Sequence, residues 1–500
     1  MEHTEAAQVA ALLGGVGAAL VLLSRGRLGL LVLPGFALLG LGTAGLAWAL
    51  VGDDDVELLL TEPTGLALLT VGILAAGLGA IPFVRYPTVV PVALLAVAPF
   101  RIPVELGEEE AFLLLPLYLV LASTVLALGY RMLRGVRPPE PPLLLALPLS
   151  AFVAFSALSY LWTWDERAGA IALAFFVFPF TAGLSVVARA PRAAWLTRAL
   201  LVTLVALGGL FAAIGIWQAQ TRTLFFARDV EVANAYTSFF RVTSLFKDPS
   251  LYGRYLVVPI AVLLVAILVR RARPVEWIAA AAASAFLFWG LFYSYSQSSF
   301  VALFVVTFAV ALLGVGKRLR IVLLVCAIVA TLAAGAVAAE SVNGRSARDV
   351  TSGRSRLVDV TLEAFEARPV WGVGVGGQPR ASAEESGNGS PSRNASHTTP
   401  LTVLAELGVL GLALYLALLA ASAWGLYLLA RRERTLAVGL AAVLLALVVH
   451  SILYAGFFED PLTWGVFGLI AAGIASGTAS REPEPVSEES APSAPQLQAH

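Results

Sequence analysis

The sequence predicts an all-α polytopic membrane protein, a bundle of about 12–15 transmembrane helices with two long external loops. Three observations carry this expectation. First, 59% of the 500 residues are hydrophobic and 13% charged, with a mean hydropathy of +0.84, whereas a soluble domain is roughly 45–50% apolar and about 25% charged. Second, apolar runs of about 20 residues recur from end to end, long enough to cross a hydrocarbon core of about 30 Å. Third, the hydrophilic joints between the runs alternate in sign.

The runs lie near 7–23, 29–51, 64–84, 86–101, 111–130, 142–163, 168–188, 194–217, 250–269, 275–293, 298–315, 319–339, 399–429, 435–456 and 461–477. Lipid offers no hydrogen bonds to a bare backbone, and the runs lack the alternation of a barrel strand, so they are expected to be helices. "MEHTEAAQ" is acidic where a cleaved signal would be basic, so the first run is read as a retained helix. The single cysteine, Cys326, excludes an internal disulfide framework and cysteine-based metal sites.

One set of joints is basic: "SRGR", Arg85, "RMLRGVR", "ARAPRAAWLTR", "RRAR", "GKRLR" and "RRER". The other is acidic: "GDDDVELLLTE", "VELGEEEA", "WDER" and "FFED". Under the positive-inside rule the basic joints face the cytoplasm and the N-terminus lies outside. Residues 1–193 are then N-terminal transmembrane helices, 431–477 C-terminal ones, and 478–500 a Pro/Ser/Glu-rich tail expected to be disordered and cytoplasmic.

Two outer segments, 218–249 and 340–398, break the pattern by length and by charge. The first carries Arg222, Arg228, Arg241 and Lys247; the second carries Arg345, Arg348, Arg354, Arg356, Arg368, Arg380 and Arg393. Long loops carry positive charge outward more easily than short ones, so tolerated charge competes here with a site for an anion. In "GRSRLVDVTLEAFEARP" the spacing predicts an amphipathic helix ending at Pro369, with Val358, Leu362 and Phe365 on its apolar stripe. Arg354 and Arg356 stand at its start, where free amides and the helix dipole favour an anion, or where both grip lipid headgroups.

Gly372, Gly374 and Gly377 formally satisfy G-x-G-x-x-G, but no strand precedes them, and a dinucleotide-binding reading is rejected. "RASAEESGNGSPSRNAS" reads as a flexible flap. His397 follows at the mouth of the next helix, and Glu406 lies inside that helix, where an ionisable group needs a buried partner. An outer-loop arginine is the expected one. His450, near the end of its own helix, reads as interfacial.

"SGRSRLVDVTLEAFEARPVWGVGVGG" followed by "SHTTPLTVLAELGVLGLALYL" resembles the signature region of the O-antigen ligase and polymerase superfamily (WaaL/Wzy, with a Wzy_C-type domain). "RVTSLFKDPSLYGRYLVVPIAVLL" resembles that superfamily's upstream arginine segment. "SYSQSSF" stands where a Thr-x-Ser-Arg-Gly segment is common, with Gln297 in the arginine's place, which weakens any role for the start of the 298–315 helix.

The resemblance implies a GT-C-like bundle in which 194–430, with both long loops, is the catalytic core. It implies a glycosyltransferase that takes a glycan from an undecaprenyl-pyrophosphate carrier on the outer face and passes it to a glycan, lipid or protein acceptor, in cell-surface polysaccharide biosynthesis. Arg241 and Arg354 match the arginines that hold the diphosphate, and His397 the histidine on the acceptor side. Lys247, Arg254, Arg356 and Glu406 are additional candidates. Membrane lipids complete the expected partners; nucleic acid, cofactor and metal are not expected.

The chemistry agrees with the residue types. Diphosphate is a good leaving group whose developing charge must be neutralised, and guanidinium groups do this in bidentate fashion. An imidazole suits the acceptor hydroxyl's proton. No carboxylate pair is placed for a covalent intermediate, so inversion is expected. "DDD" at 53–55 reads as a solvated loop and not as a cation site. Two rivals remain: a lipid-linked glycan or polysaccharide transporter or flippase, for which midplane ionisable residues and an inverted repeat are missing, and a non-catalytic assembly subunit, hinted at by Gln297.

Overall fold

The structure, a computed structural model, describes residues 3–51, 63–106, 109–270, 273–314, 316, 354–387 and 390–479. The helix expected at 319–339, the acidic triplet at 53–55 and the tail beyond 479 lie outside the described residues. The N-terminal half contributes α1 Thr4–Leu23, α2 Val32–Val51, α3 Pro63–Arg85, α4 Val90–Val97, α5 Leu115–Leu133, α6 Leu143–Ser159, α7 Glu166–Ala172 and α8 Phe178–Ala188. Next come α9 Leu196–Thr221, α10 Arg228–Asn234, α11 Pro249–Leu268, α12 Pro274–Phe292 and α13 Gln297–Gly314. The chain then forms α14 Arg354–Ala367, α15 Gln378–Glu385, α16 Thr399–Ala430, α17 Arg434–Leu453 and α18 Pro461–Ala479.

Among the described residues, 12 helical spans are long and apolar enough to cross a membrane, with shorter apolar helices at Pro87–Val97 and Pro461–Ala475. The protein is an all-α polytopic bundle, as its hydropathy requires. Small residues let the first helices close: a Cβ at Gly42 of α2 would stand 2.7 Å from the Ala10 carbonyl of α1. At the basic end, buried Arg189 donates to the Val21 carbonyl at 2.7 Å and to Ser185 Oγ at 2.5 Å, joining α8 to the end of α1.

Three local expectations change. The run at 86–101 is not a crossing helix but a short turn, Pro87–Val89, leading into the eight-residue α4. Its prolines serve as helix starters and withhold amides from a longer helix. The acidic joint after it forms an antiparallel hairpin, β1 Ile102–Leu106 with β2 Glu109–Leu113. In α14 the buried face is Val360, Thr361 and Ala364, while Leu362 is exposed. The expected stripe of Val358, Leu362 and Phe365 is therefore displaced, because the helix packs its small residues against Val373, Ala381 and Trp164. The expected flexible flap begins instead as α15, whose Gln378, Ala381, Ser382 and Ala383 are buried.

α16 is interrupted at Gly408, where φ is 65° and ψ is −165°. The break exposes backbone groups inside an apolar span, which lipid does not tolerate. The glycine-rich segment supplies the partners: Val373 N donates to Ala405 O at 3.0 Å and Gly374 N to Glu406 O at 2.8 Å, while Val409 N donates to Pro369 O at 2.9 Å. A Cβ at Gly408 would lie 2.3 Å from the Val370 carbonyl, besides occupying a backbone region that only glycine visits freely. Gly408→Ala is therefore expected to lower thermal stability by about 1–3 kcal/mol or more. Unfolding followed in detergent checks this, and a variant as stable as the parent would contradict the interrupted geometry.

Candidate functional site

The charge-rich groups gather at one end of the bundle, where α9, α12 and α17 finish and α11, α13, α16 and α18 begin. The loop after α9 is built on buried Gln218. Its Oε1 accepts the amides of Thr243 and Ser244 at 3.2 and 2.7 Å, and its Nε2 donates to the Ser244 carbonyl at 2.9 Å. Asn234 brackets Arg241, accepting its amide at 2.9 Å and donating to its carbonyl at 3.0 Å. Arg241 then donates Nε to the Ser294 carbonyl at 3.3 Å. Both Nη groups of Arg241 have no protein partner among the described residues and remain available to a ligand. The loop ends at Asp248, which caps α11 by accepting the amides of Ser250 and Leu251 at 2.6 and 3.2 Å.

One turn into α11, Arg254 is 3% exposed and spends every N–H it has. Nη1 donates to Asp460 Oδ2 at 2.8 Å and the Gly456 carbonyl at 2.6 Å; Nη2 donates to the Ala455 carbonyl at 3.1 Å and His450 Nδ1 at 3.2 Å; Nε meets the same Nδ1 at 3.3 Å. A guanidinium only donates, so His450 Nδ1 must accept and the proton sits on Nε2. That Nε2–H faces Ser298 Oγ and Ser299 Oγ, each at 3.2 Å, and the Ser250 carbonyl at 3.1 Å. Ser296 Oγ links the two serines at 3.0 and 2.9 Å. The start of α13, discounted because Gln297 replaces an arginine, is thus a working part of the polar centre. Gln297 itself is exposed.

Tyr454 joins this network to His397. The Arg254 guanidinium carbon lies 5.9 Å from the Tyr454 ring centre, and the His397 ring is roughly parallel to that ring at 6.4 Å. Burial first, and the nearby Asp248 carboxylate second, push the Tyr454 phenol far above its ordinary range. His397 is exposed. The strand before it is fixed by Gln378, which accepts the Ser396 amide at 2.9 Å and donates to the Asn394 carbonyl at 2.9 Å. Arg356 donates to Asn394 Oδ1 at 2.8 Å.

Glu459 is exposed at the same end of the bundle. Burial among its neighbours raises its carboxyl above the usual range, and Arg254 and Arg101 pull it back. Glu459 also acts electrostatically on Glu406. Among the described residues, Glu406 interacts with the backbone amides of Gly376 and Gln378; of the outer-loop arginines expected as its partner, Arg345, Arg348 and the Arg354 side chain lie outside the described residues. The sharp turn there is permitted by Gly374 and Gly376, both at positive φ.

Of the residues picked from the sequence, His397 and Arg254 share one centre through Tyr454. Arg241 is joined to it through the Ser294–Ser299 turn, and Arg356 and Glu406 brace the His397 side. Lys247 is exposed beside Asp248. Arg354 begins α14, and its side chain lies outside the described residues. Sequence reasoning missed Arg101, Asp248, Tyr454, Glu459 and Asp460, and read His450 as merely interfacial. Arg101 carried a signal: it puts a positive charge at the end of an apolar run, beside a joint that is otherwise acidic.

Residues 282–416 match the family model of the O-antigen ligase, Wzy_C. The Wzy_C segment begins within α12, includes the Ser294–Ser299 turn and His397, and ends in α16 beyond Gly408. Arg241, Arg254, His450, Tyr454 and Asp460 lie outside it and complete the same polar centre. The match agrees with the resemblance carried by the sequence motifs. Together with the helical bundle, it supports a membrane role of the O-antigen ligase or polymerase type. A comparison of the whole chain with curated proteins finds no match.

Proposed function

We propose that the chain is a membrane glycosyltransferase of the O-antigen ligase or polymerase type, moving a glycan from an undecaprenyl-diphosphate carrier to an acceptor hydroxyl at the outer face of the cytoplasmic membrane. One observation carries this reading: an accessible imidazole, His397, stands one aromatic ring away from a buried arginine network, at the end of the bundle that also presents Arg241 and Arg101. The roles divide by which donors are spent. Arg254 is fully bonded within the protein, so it positions Tyr454 and His450 and does not reach the ligand. Arg241, whose Nη groups no described residue engages, holds the departing diphosphate, and Arg101 adds positive potential at the same end of the bundle. His397 accepts or orients the proton of the acceptor hydroxyl.

In the transfer step the acceptor oxygen bonds to the anomeric carbon while the bond from that carbon to the diphosphate oxygen breaks. The electron pair leaves on the diphosphate, and the hydroxyl proton goes to His397. A single displacement inverts the anomeric configuration. Arg241→Ala is expected to lower transfer from a defined undecaprenyl-diphosphate glycan by about 10²–10³-fold, the usual cost of one group that neutralises developing charge. Reconstituted protein with that donor and candidate acceptors is the direct test. Arg241→Ala turning over at the parent rate would remove the arginine from the reaction. A folded parent that translocates the donor without cleaving it would replace the transferase reading with a flippase.

A further inference from the structure

We propose that the protein holds an anionic phospholipid of the cytoplasmic leaflet in a second site, whose basic mouth lies at the end of the bundle opposite the polar centre. A cavity of about 1060 Å³ opens there between α4, α5, α8, α9, α11, α12, α17 and α18. It exceeds the roughly 300–1,000 Å³ of ordinary small-ligand pockets. Its walls are aliphatic, with Leu200, Leu204, Val258, Val262, Ala280 and Leu440 among them.

The mouth is a different surface. Arg192, Arg198, Arg270 and Arg434 border it, against Glu276 and Glu433, an excess of positive charge. Glu433 is answered by Arg192 in a two-pronged pair at 2.6 and 2.7 Å. That pairing leaves Arg198, in the first turn of α9, and Arg270, just past the end of α11, both exposed at the mouth. Trp195 and Trp277 are 46% and 49% exposed close to these arginines in sequence. Tryptophans so placed mark the headgroup level of a bilayer.

Charge selects the occupant. Along α11 the lining runs from Val258 to Arg270, and on α5 and α18 it continues to Leu117 and Pro461. The apolar walls give room for acyl chains beneath a phosphate at the basic mouth, as basic pockets between transmembrane helices do on the cytoplasmic side. The alternation of charged joints makes this end the cytoplasmic one, and the inference stands apart from the transfer reaction.

The test is a binding titration by native mass spectrometry on the full chain in detergent, comparing phosphatidylglycerol with phosphatidylcholine of identical acyl chains. Phosphatidylglycerol should bind more tightly. Arg198→Gln with Arg270→Gln should weaken it by about thirtyfold, from about fivefold for each charge near a membrane surface, and leave phosphatidylcholine unchanged. Ala280→Phe, which fills the cavity without touching the charges, should reduce both lipids. Equal affinity for the two lipids, or phosphatidylglycerol binding indifferent to the paired substitution, would overturn the proposal. So would glycerol phosphate binding as tightly as the whole lipid, which would make the mouth a free-anion site. Undecaprenyl phosphate displacing phosphatidylglycerol would overturn it as well, and give the cavity to the donor's chain.

Discussion

Arg254→Ala is expected to destabilise the protein by about 3–5 kcal/mol, the cost of leaving one member of a buried ion pair alone. Asp460 is 1% exposed, so water cannot replace the guanidinium. The carbonyls of Ala455 and Gly456 lose their donors at the same time, and His450 Nδ1 loses the group that sets its tautomer. The effect should therefore exceed that of any exposed ion pair, such as Arg380 with Glu384. Unfolding in detergent, followed by tryptophan fluorescence, measures it. The double variant Arg254→Met with Asp460→Leu should recover a large part of the stability, because no charge is then stranded. It should recover no transfer, since Tyr454 and His397 would have lost their support. A single variant as stable as the parent would show that the pair does not hold the centre together.

His397→Ala is expected to lower transfer by about 10²–10⁴-fold, the range associated with losing a positioned acid or base. The fold should be untouched, because His397 is exposed and its backbone is held by Gln378 and Ser396. The two experiments thus read different properties: the arginine variant moves stability and activity together, the histidine variant activity alone. Intact cells carrying His397→Ala should accumulate lipid-linked donor at normal protein levels. Transfer at the parent rate would take His397 out of the reaction.

The crossing helices are legible in the sequence because each is its own signal, an apolar run closed by charged joints. α4 and the hairpin are not, since Pro87 and Pro91 cut a run that hydropathy alone reads as continuous, and the hairpin occupies what reads as an acidic joint. The site divides along the same line. Arg241 and His397 lie in polar segments where a charged residue stands out. Arg254 and Asp460 lie 206 positions apart, and His450 meets Ser298 and Ser299 across two helices. Such partners are brought together only by packing, and each looks ordinary in its own segment. The exhaustion of all the Arg254 donors, which separates positioning from ligand binding, is a property of three-dimensional geometry and leaves no trace in spacing.

The interruption of α16 divides labour within one apolar segment. Residues beyond Leu410 are answerable to the bilayer, while the short piece before Gly408, with Val409 and Leu410, is fastened through the main chain to the ribbon 369–375, and that ribbon to Thr163 and Trp164. The threshold on which His397 stands is therefore docked to the membrane scaffold and not a rigid continuation of it. Changes in the ribbon or in α14 and α15 can reshape what approaches that imidazole while every crossing of the bilayer stays as it is.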